Sequence, residues 1–283
     1  PAKDYNDVKS VDGIKIVHHN IFTNKIAYIN MSFDTKCVPD ELIPYMGLLG
    51  STLSLMDTKN YTYPELTNEI NINCGGLATG TALYSDKVDF SKNTIVYEVK
   101  SKALYEKVPF VLGMMEEIMY NTRFDDYKRL KEIIARIKSR LEASLMGQGH
   151  SIAMLECCAQ FSESAYYSDI LRGYKYYEFI KKLDEEFEQN KTQIVDKLNK
   201  LVGYIFNKDN VIVSLTADDE GYDCFVKALS AKSCNIKDEH YNTAVRSFIP
   251  VNVKTGYTSA SQVQYVARCG NFRDGGYEYT GAL

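Results

Sequence analysis

The sequence predicts an α+β fold in two domains. Apolar and polar residues alternate across Ile26–Asp34, with Ala27, Ile29, Met31 and Phe33 on one side and Asn30, Ser32 and Asp34 on the other. That period of two is a strand with one buried face. Leu130, Ile134, Ile137, Leu141 and Leu145 fall four, three, four and four residues apart, which is one face of a long helix. After Phe206 the pattern starts afresh with a compact apolar run at 211–217. A boundary near 206 follows, giving a first domain at 1–206 and, at 207–283, the start of a second that is cut short.

The elements can be justified in chain order. Residues 13–20 read as a strand. Only five residues separate it from Ile26–Asp34, and Thr23-Asn24 suits a turn, so the pair predicts a hairpin. A helix follows over 39–56, with Asp40 as a cap and Pro44 in the first turn, where a missing N–H costs little. Thr62-Tyr63-Pro64-Glu65 has the form of a capping box and starts a second helix. It stops at Gly75-Gly76, where a left-handed residue can close the last turn. Residues 77–84 and 94–100 form a second strand pair. Residues 104–120 form an amphipathic helix with Pro109 in or near its first turn. The long helix through Leu130 and Leu145 breaks near Gly147 and Gly149. Two more helices run through Tyr176, Ile180, Leu183 and Phe187, then through Ile194, Leu198, Leu201 and Ile205. Beyond the strand at 211–217 come a short helix at 221–229, a strand at 263–268 and, at 277–283, the opening of a further helix.

Composition narrows the function classes. Of 283 residues, 33 are Lys or Arg and 37 are Asp or Glu, for a formal net charge of −4. Bulk-charge binding of nucleic acid needs the opposite excess, so no nucleic-acid partner is expected. No apolar run is long enough to span a membrane, and the opening Pro1-Ala2-Lys3-Asp4 is no signal peptide. The missing initiator Met leads us to expect ends other than the native ones. Seven scattered cysteines, without a CxxC pair, point to a reducing compartment. The expected location is the cytoplasm, or an organelle for a eukaryotic source.

The residues that could carry chemistry each have a plainer reading. His18 and His19 are neighbours on a strand, so they point to opposite faces and cannot share a metal. His150 lies in the breaker between helices, and His240 follows Asp238-Glu239 in a polar loop. No HExxH or HxxEH spacing supplies the paired helical ligands of a zinc peptidase. Cys157-Cys158 follow His150 by seven residues. A thiol–imidazole nucleophile would need the pair in contact, and buried cysteines on a helix are the simpler account. Asp218-Asp219-Glu220 suits a helix cap better than a cation site. The tyrosines at 166, 167, 174, 176 and 177 read as amphipathic packing, and Arg268 and Arg273 as surface charge. No GxSxG, P-loop or GxGxxG occurs. The residues alone therefore offer no catalytic site and no metal site, and leave any substrate-binding residues unknown.

Two longer stretches carry a resemblance. Glu41-Leu-Ile-Pro-Tyr-Met-Gly-Leu-Leu leads on through Thr58-Lys59-Asn60-Tyr61-Thr62-Tyr63 to Glu65-Leu66-Thr67-Asn68-Glu69-Ile70-Asn71-Ile72-Asn73-Cys74-Gly75-Gly76. Ser261-Gln262-Val263-Gln264-Tyr265-Val266 is followed by Gly276-Tyr277-Glu278-Tyr279-Thr280-Gly281-Ala282-Leu283. These runs resemble peptidase family M16, the pitrilysin or insulinase-like metallopeptidases, in its presequence-protease and falcilysin branch (subfamily C).

The resemblance implies LuxS/MPP-like metallohydrolase-type domains, each an antiparallel or mixed sheet with helices packed on one face. It further implies a clam of two halves closing on an unfolded peptide, with zinc on an HxxEH helix in the first half. The present chain resembles the noncatalytic C-terminal half, its third domain and the start of its fourth. At the HxxEH place it has approximately Leu48, Ser51 and Thr52, none of them a zinc ligand or a carboxylate base. The expectation is a chain inactive by itself that forms part of a chamber wall, with no cofactor of its own and zinc in a catalytic M16 half. That half would be in the same polypeptide or a partner chain. Two other classes stay open: a stand-alone scaffold subunit with this fold, and an unrelated enzyme using Cys157 or Cys158 with His150.

Overall fold

The structure is a computed structural model that describes residues 6–86, 89, 92–231, 235–258, 263–272 and 275–277. Its centre is a six-stranded mixed sheet. Strand β1 (Asn6–Val11) turns through Asp12 and Gly13, at φ 50° and 81°, into β2 (Ile14–Asn20). Strand β3 (Ile26–Asp34) has the bounds its alternation predicts. After a short 3-10 turn at Asp40–Leu42 come helix α1 (Ile43–Thr52) and helix α2 (Tyr63–Asn73). Strands β4 (Leu77–Ser85) and β5 (Asn93–Leu104) pair antiparallel, and α3 (Val108–Tyr120) follows with Pro109 in its first turn.

A helical run follows: α4 (Tyr127–Gly147), α5 (Gly149–Ala159), α6 (Glu163–Arg172), α7 (Tyr174–Glu185) and α8 (Phe187–Ile205); α4, α6, α7 and α8 pack against α1, and α5 packs on α4 and α6. Last come strand β6 (Val211–Ala217) and helix α9 (Asp219–Ser230).

The strand order is β1-β2-β6-β3-β5-β4, and this corrects two expectations. First, β2 and β3 are not a hairpin. Strand β6 lies between them, parallel to β2 and antiparallel to β3. Asn24 and Lys25, at φ 51° and 66°, do reverse the chain, but the two arms open to admit a strand from far along the sequence. Second, the boundary near 206 does not divide the sheet. Val211, Val213, Leu215 and Ala217 are buried in the same core as Ile29, Met31 and Phe33. Residues 211–230 thus complete the first folding unit.

Smaller corrections concern ends. Helix α1 stops at Thr52, short of 56, and Asp40 does not cap it: its carboxylate accepts from the Ser247 N–H at 3.3 Å. Helix α2 stops at Asn73, with Cys74 extended and Gly76 at φ 108°. In the capping box, Glu65 accepts from the Thr62 N–H at 2.9 Å and from its hydroxyl at 2.7 Å. Residues 263–268 do not form a strand among the described residues; Tyr265 instead lies against Gly149 and His150. Of the helix expected at 277–283, all but Tyr277 lies outside the described residues, and Tyr277 is not helical.

The sheet has two unlike faces. On one, Ala27, Ile29, Met31, Phe33, Tyr97 and Val99 meet α1, α3 and α9 in a continuous apolar core. Close approach there depends on glycine: a Cβ on Gly50 would lie 3.3 Å from the Gly80 Cα of β4. On the other face no helix packs among the described residues. The described residues from Lys237 onward run as an irregular strap across the helical side. Arg246 bonds the carbonyls of Thr35 and Val38, and the Val251 N–H donates to the Gln160 carbonyl at 2.8 Å.

Candidate functional site

The bare face of the sheet is the candidate site. Its composition follows from strand register. Thr216 of β6, Tyr28 of β3 and Lys102 of β5 stand in one cross-strand row. Ser214, Asn30 and Lys100 form the next, continued by Ala78 of β4. Ile212, Ser32 and Glu98 form the third, continued by Gly80. These are the polar positions of the alternation, so the same pattern that buries Ile29 and Met31 turns Tyr28 and Asn30 outward. Tyr28 is 45% exposed and Tyr84 53%.

Two features stand on this face. The first is a polar knot at Glu98. One carboxylate oxygen accepts from Asn30 Nδ2 and from the Tyr84 hydroxyl, both at 2.9 Å, and the other lies 2.6 Å from the Lys100 ammonium. Burial by itself raises the Glu98 carboxyl, but the bonds from Lys100, Asn30 and Tyr84 outweigh it and hold the group below its usual range. The second feature is a groove of about 490 Å³ at the Gly75–Gly76 end of β4. Tyr28, Lys100, Lys102, Ser214 and Thr216 are among the residues that line it.

The residues singled out in the sequence are placed as follows. His18 is buried on the helical side, its Nε2 2.9 Å from the Ala217 carbonyl oxygen and its ring stacked on Tyr222. His19 is on the bare face and bonds Asn6 and the Ser214 hydroxyl. The two do point apart. His150 and Cys157 both belong to α5, about two turns or ~10 Å apart along the axis, so the structure does not bring them together. The Cys157 sulfur faces the Ala267 carbonyl and Cys269, and burial pushes its thiol up, away from the thiolate a nucleophile needs. Cys157 and Cys158 are half-buried, less enclosed than expected.

Asp218 caps α9 through the Gly221 N–H at 3.1 Å and accepts from the Tyr105 hydroxyl at 2.9 Å. Asp219 takes Asn20, and Glu220 takes Lys25. Three carboxylates with three separate partners are a capped helix start and not a cation site. Tyr167 and Tyr176 are buried, while Tyr166 packs on Phe248 and Tyr174 on Tyr257. Arg268 is exposed, and Arg273 lies outside the described residues.

The zinc ligands of an M16 catalytic helix have no counterpart on α1. Leu48 and Thr52 are buried, and the hydroxyls of Ser51 and Thr52 bond the Gly47 and Leu49 carbonyls of their own helix. These residues do not fit the metal. One grouping escapes the sequence reading. Asp209, Asp238 and His240 place three ligand atoms within 4.8 Å of one another, with His240 Nδ1 2.5 Å from Asp209. It is the one such group among the described residues, and all three side chains are exposed.

Comparison with known proteins locates this architecture. Residues 2–183 match the family model described as Peptidase M16-C associated. The chain belongs to that family. The M16-C associated chain is 36% identical over 280 residues to "Protein HypA" of Clostridium perfringens, covering 97% of this chain and 28% of that protein. It is 25% identical over 280 residues to "Presequence protease 1, chloroplastic/mitochondrial" of Arabidopsis thaliana, covering 98% of this chain and 26% of that one. The chain thus spans about a quarter of the length of these relatives.

Among solved structures, a peptidase M16 inactive domain from Pseudomonas fluorescens superposes with TM-score 0.55 at 13% identity, covering 87% of this chain and 54% of that one. That likeness shows the fold: an α+β M16 domain with a mixed sheet. Family and relatives support the noncatalytic C-terminal half of this M16 branch, and the likeness to the solved structure adds its fold. No helix among the described residues is long and apolar enough to cross a membrane.

Proposed function

We propose that this M16-C associated domain forms part of the wall of a peptide-degrading chamber, with the bare face of the sheet turned inward. The observation that carries the reading is the asymmetry of the sheet. Helices cover one face, while the other presents Tyr28, Asn30, Lys100 and Lys102 around an open groove, with Tyr84 exposed further along β4. A sheet that ends in solvent on one side ordinarily presents a plain polar surface. Here the surface combines exposed aromatic rings, an ordered polar knot and a concavity, which suits transient contact with an extended chain.

The chemistry belongs to the partner half. A catalytic M16 half, in the same polypeptide or a separate chain, supplies the zinc and the base. This domain supplies enclosure, which restricts the peptide's freedom and keeps it near the reacting groups. The substrate is an unfolded peptide, because a closed chamber excludes folded proteins by size. The zinc, the partner and the substrate all rest on the family likeness; the compartment follows that of the parent enzyme.

The test is reconstitution. The chain is combined with a catalytic M16 half, and cleavage of short unstructured peptides is measured. Activity only in the mixture supports the reading, and zinc-dependent cleavage by the 283-residue chain alone contradicts it. The rival, a stand-alone scaffold subunit, separates on the mass of the native polypeptide. A mass near 32.2 kDa favours the subunit, and a much larger one favours the fused half.

A further inference from the structure

We propose that the groove on the bare face takes an extended peptide segment carrying a carboxylate, with the Lys102 ammonium as its charge partner. This rests on the inward-face reading and adds a preference to it. The charge in the groove is one-sided, since its lining includes Lys100 and Lys102 and no acidic residue. The two lysines are not equivalent. Lys100 is already committed to Glu98 at 2.6 Å. Lys102 has no acceptor among the described residues, so its charge is available to an incoming group.

The position of Lys102 is also prepared. Its alkyl stem runs over Gly75, where a Cβ would come within 2.7 Å of its Cε, so the glycine makes room for the stem. A stem held in place has less freedom left to lose on binding. Next to it, a Cβ on Gly76 would meet nothing within 4 Å, which leaves the backbone open to a close approach. In the same cross-strand row, Tyr28 offers an exposed ring and Thr216 a hydroxyl, one for side-chain contact and one for a peptide carbonyl. An extended segment crossing this row would therefore place an acidic side chain over Lys102 and its backbone near Thr216.

The experiment uses the whole chain and two fluorescently labelled, unstructured peptides that differ only in a central Glu or Gln. Binding is followed by anisotropy at low and high salt. The Glu peptide is expected to bind about threefold tighter or more at low salt, the advantage shrinking as salt screens the pair. Lys102→Gln is expected to abolish the preference and Lys102→Arg to keep it, with melting temperatures unchanged. Lys15→Gln removes the same charge from β2, three strands away, and is expected to keep the preference. Equal binding of both peptides, or a preference that survives Lys102→Gln, overturns the proposal and leaves the inward-face reading standing. Binding of neither peptide overturns both.

Discussion

The Lys100 ammonium lies 2.6 Å from the Glu98 carboxylate, from two residues further along the same face of β5. Glu98 is almost wholly buried although it stands on the bare face, because Asn30, Tyr84 and Lys100 close over it. The pair orders the middle of the bare face.

Glu98→Gln breaks this arrangement with little change of shape. The loss of a charged acceptor from a buried network costs about 1–2 kcal/mol at neutral pH. The folded carboxyl titrates below its ordinary value of 4.5, so its contribution is present above that value and lost as pH falls through the lower folded one. The wild-type melting temperature should fall more steeply between about pH 5 and pH 3 than that of Glu98→Gln. Parallel profiles would show that Glu98 does not report on this network.

Glu156 carries the opposite sign. Its carboxyl faces the buried Asp169 across α5 and α6, with Lys175 of α7 and Tyr257 of the strap also nearby. Burial first, then the bond to Asp169, raises it above 4.5. Glu156 Oε2 and Asp169 Oδ2 each lack a hydrogen-bond donor, the Lys175 ammonium standing 3.6 Å from the latter, so a proton between them is the satisfied state. The stability this provides is present below 4.5 and lost as pH rises through the raised folded value. Glu156→Gln keeps a donor at every pH. It should melt higher than wild type near about pH 8 and equal to it near about pH 4. A variant that melts lower at both would contradict the shared proton.

Gly47 marks the tightest packing of α1. A Cβ there would lie 2.8 Å from the Tyr176 ring and 3.0 Å from the Leu171 carbonyl. Valine gains only about 0.4 kcal/mol of helix propensity over glycine. Overpacking a buried ring costs about 1–3 kcal/mol, and valine adds more bulk than a methyl. Gly47→Val should therefore lower stability by about 2 kcal/mol in denaturant titration. Gly76→Val meets open space, but a β-branched residue at φ 108° carries backbone strain of about 1–3 kcal/mol, so it should also lower stability, by a different cause.

Arg246 pins the strap. Its half-buried guanidinium donates to the carbonyls of Thr35 and Val38, a forked pattern that an ammonium cannot copy. Arg246→Lys and Arg246→Ala should both expose the strap to trypsin at Lys254, with the sheet still folded by circular dichroism. Unchanged cleavage would mean that the strap is held by its other contacts.

Much of this fold is legible in the sequence, and the failures have physical causes. Ile26–Asp34 and Val211–Ala217 can be read to the residue because each has one buried and one open face. Strand β1 escapes because Asn6–Val11 is a sheet edge with few buried side chains, although Asp12-Gly13 is a strong hairpin signal. The false hairpin comes from local turn chemistry at Asn24 and Lys25. Nothing local reveals that β6, some 180 residues later, will part the two strands. Helix α6 escapes because its two tyrosines read as a cluster and hide its 3.6-residue pattern. The candidate site is half legible. The alternation turns Asn30 outward, but Tyr28 fits either face, Lys102 lies beyond the strand predicted at 94–100, and only register shows that neighbouring strands bring them together.

The most direct measurement is labelling of single cysteines placed at Tyr28 on the bare face and at Met146 on the helical side. Both side chains are exposed in the chain alone, at 45% and 60%. Maleimide modification at each position is read by peptide mass spectrometry, with and without a catalytic M16 half. With the half present and a peptide bound, position 28 should be protected while position 146 reacts as before. Equal reactivity at both positions would contradict an inward-facing sheet, and protection of position 146 alone would turn the domain the other way round.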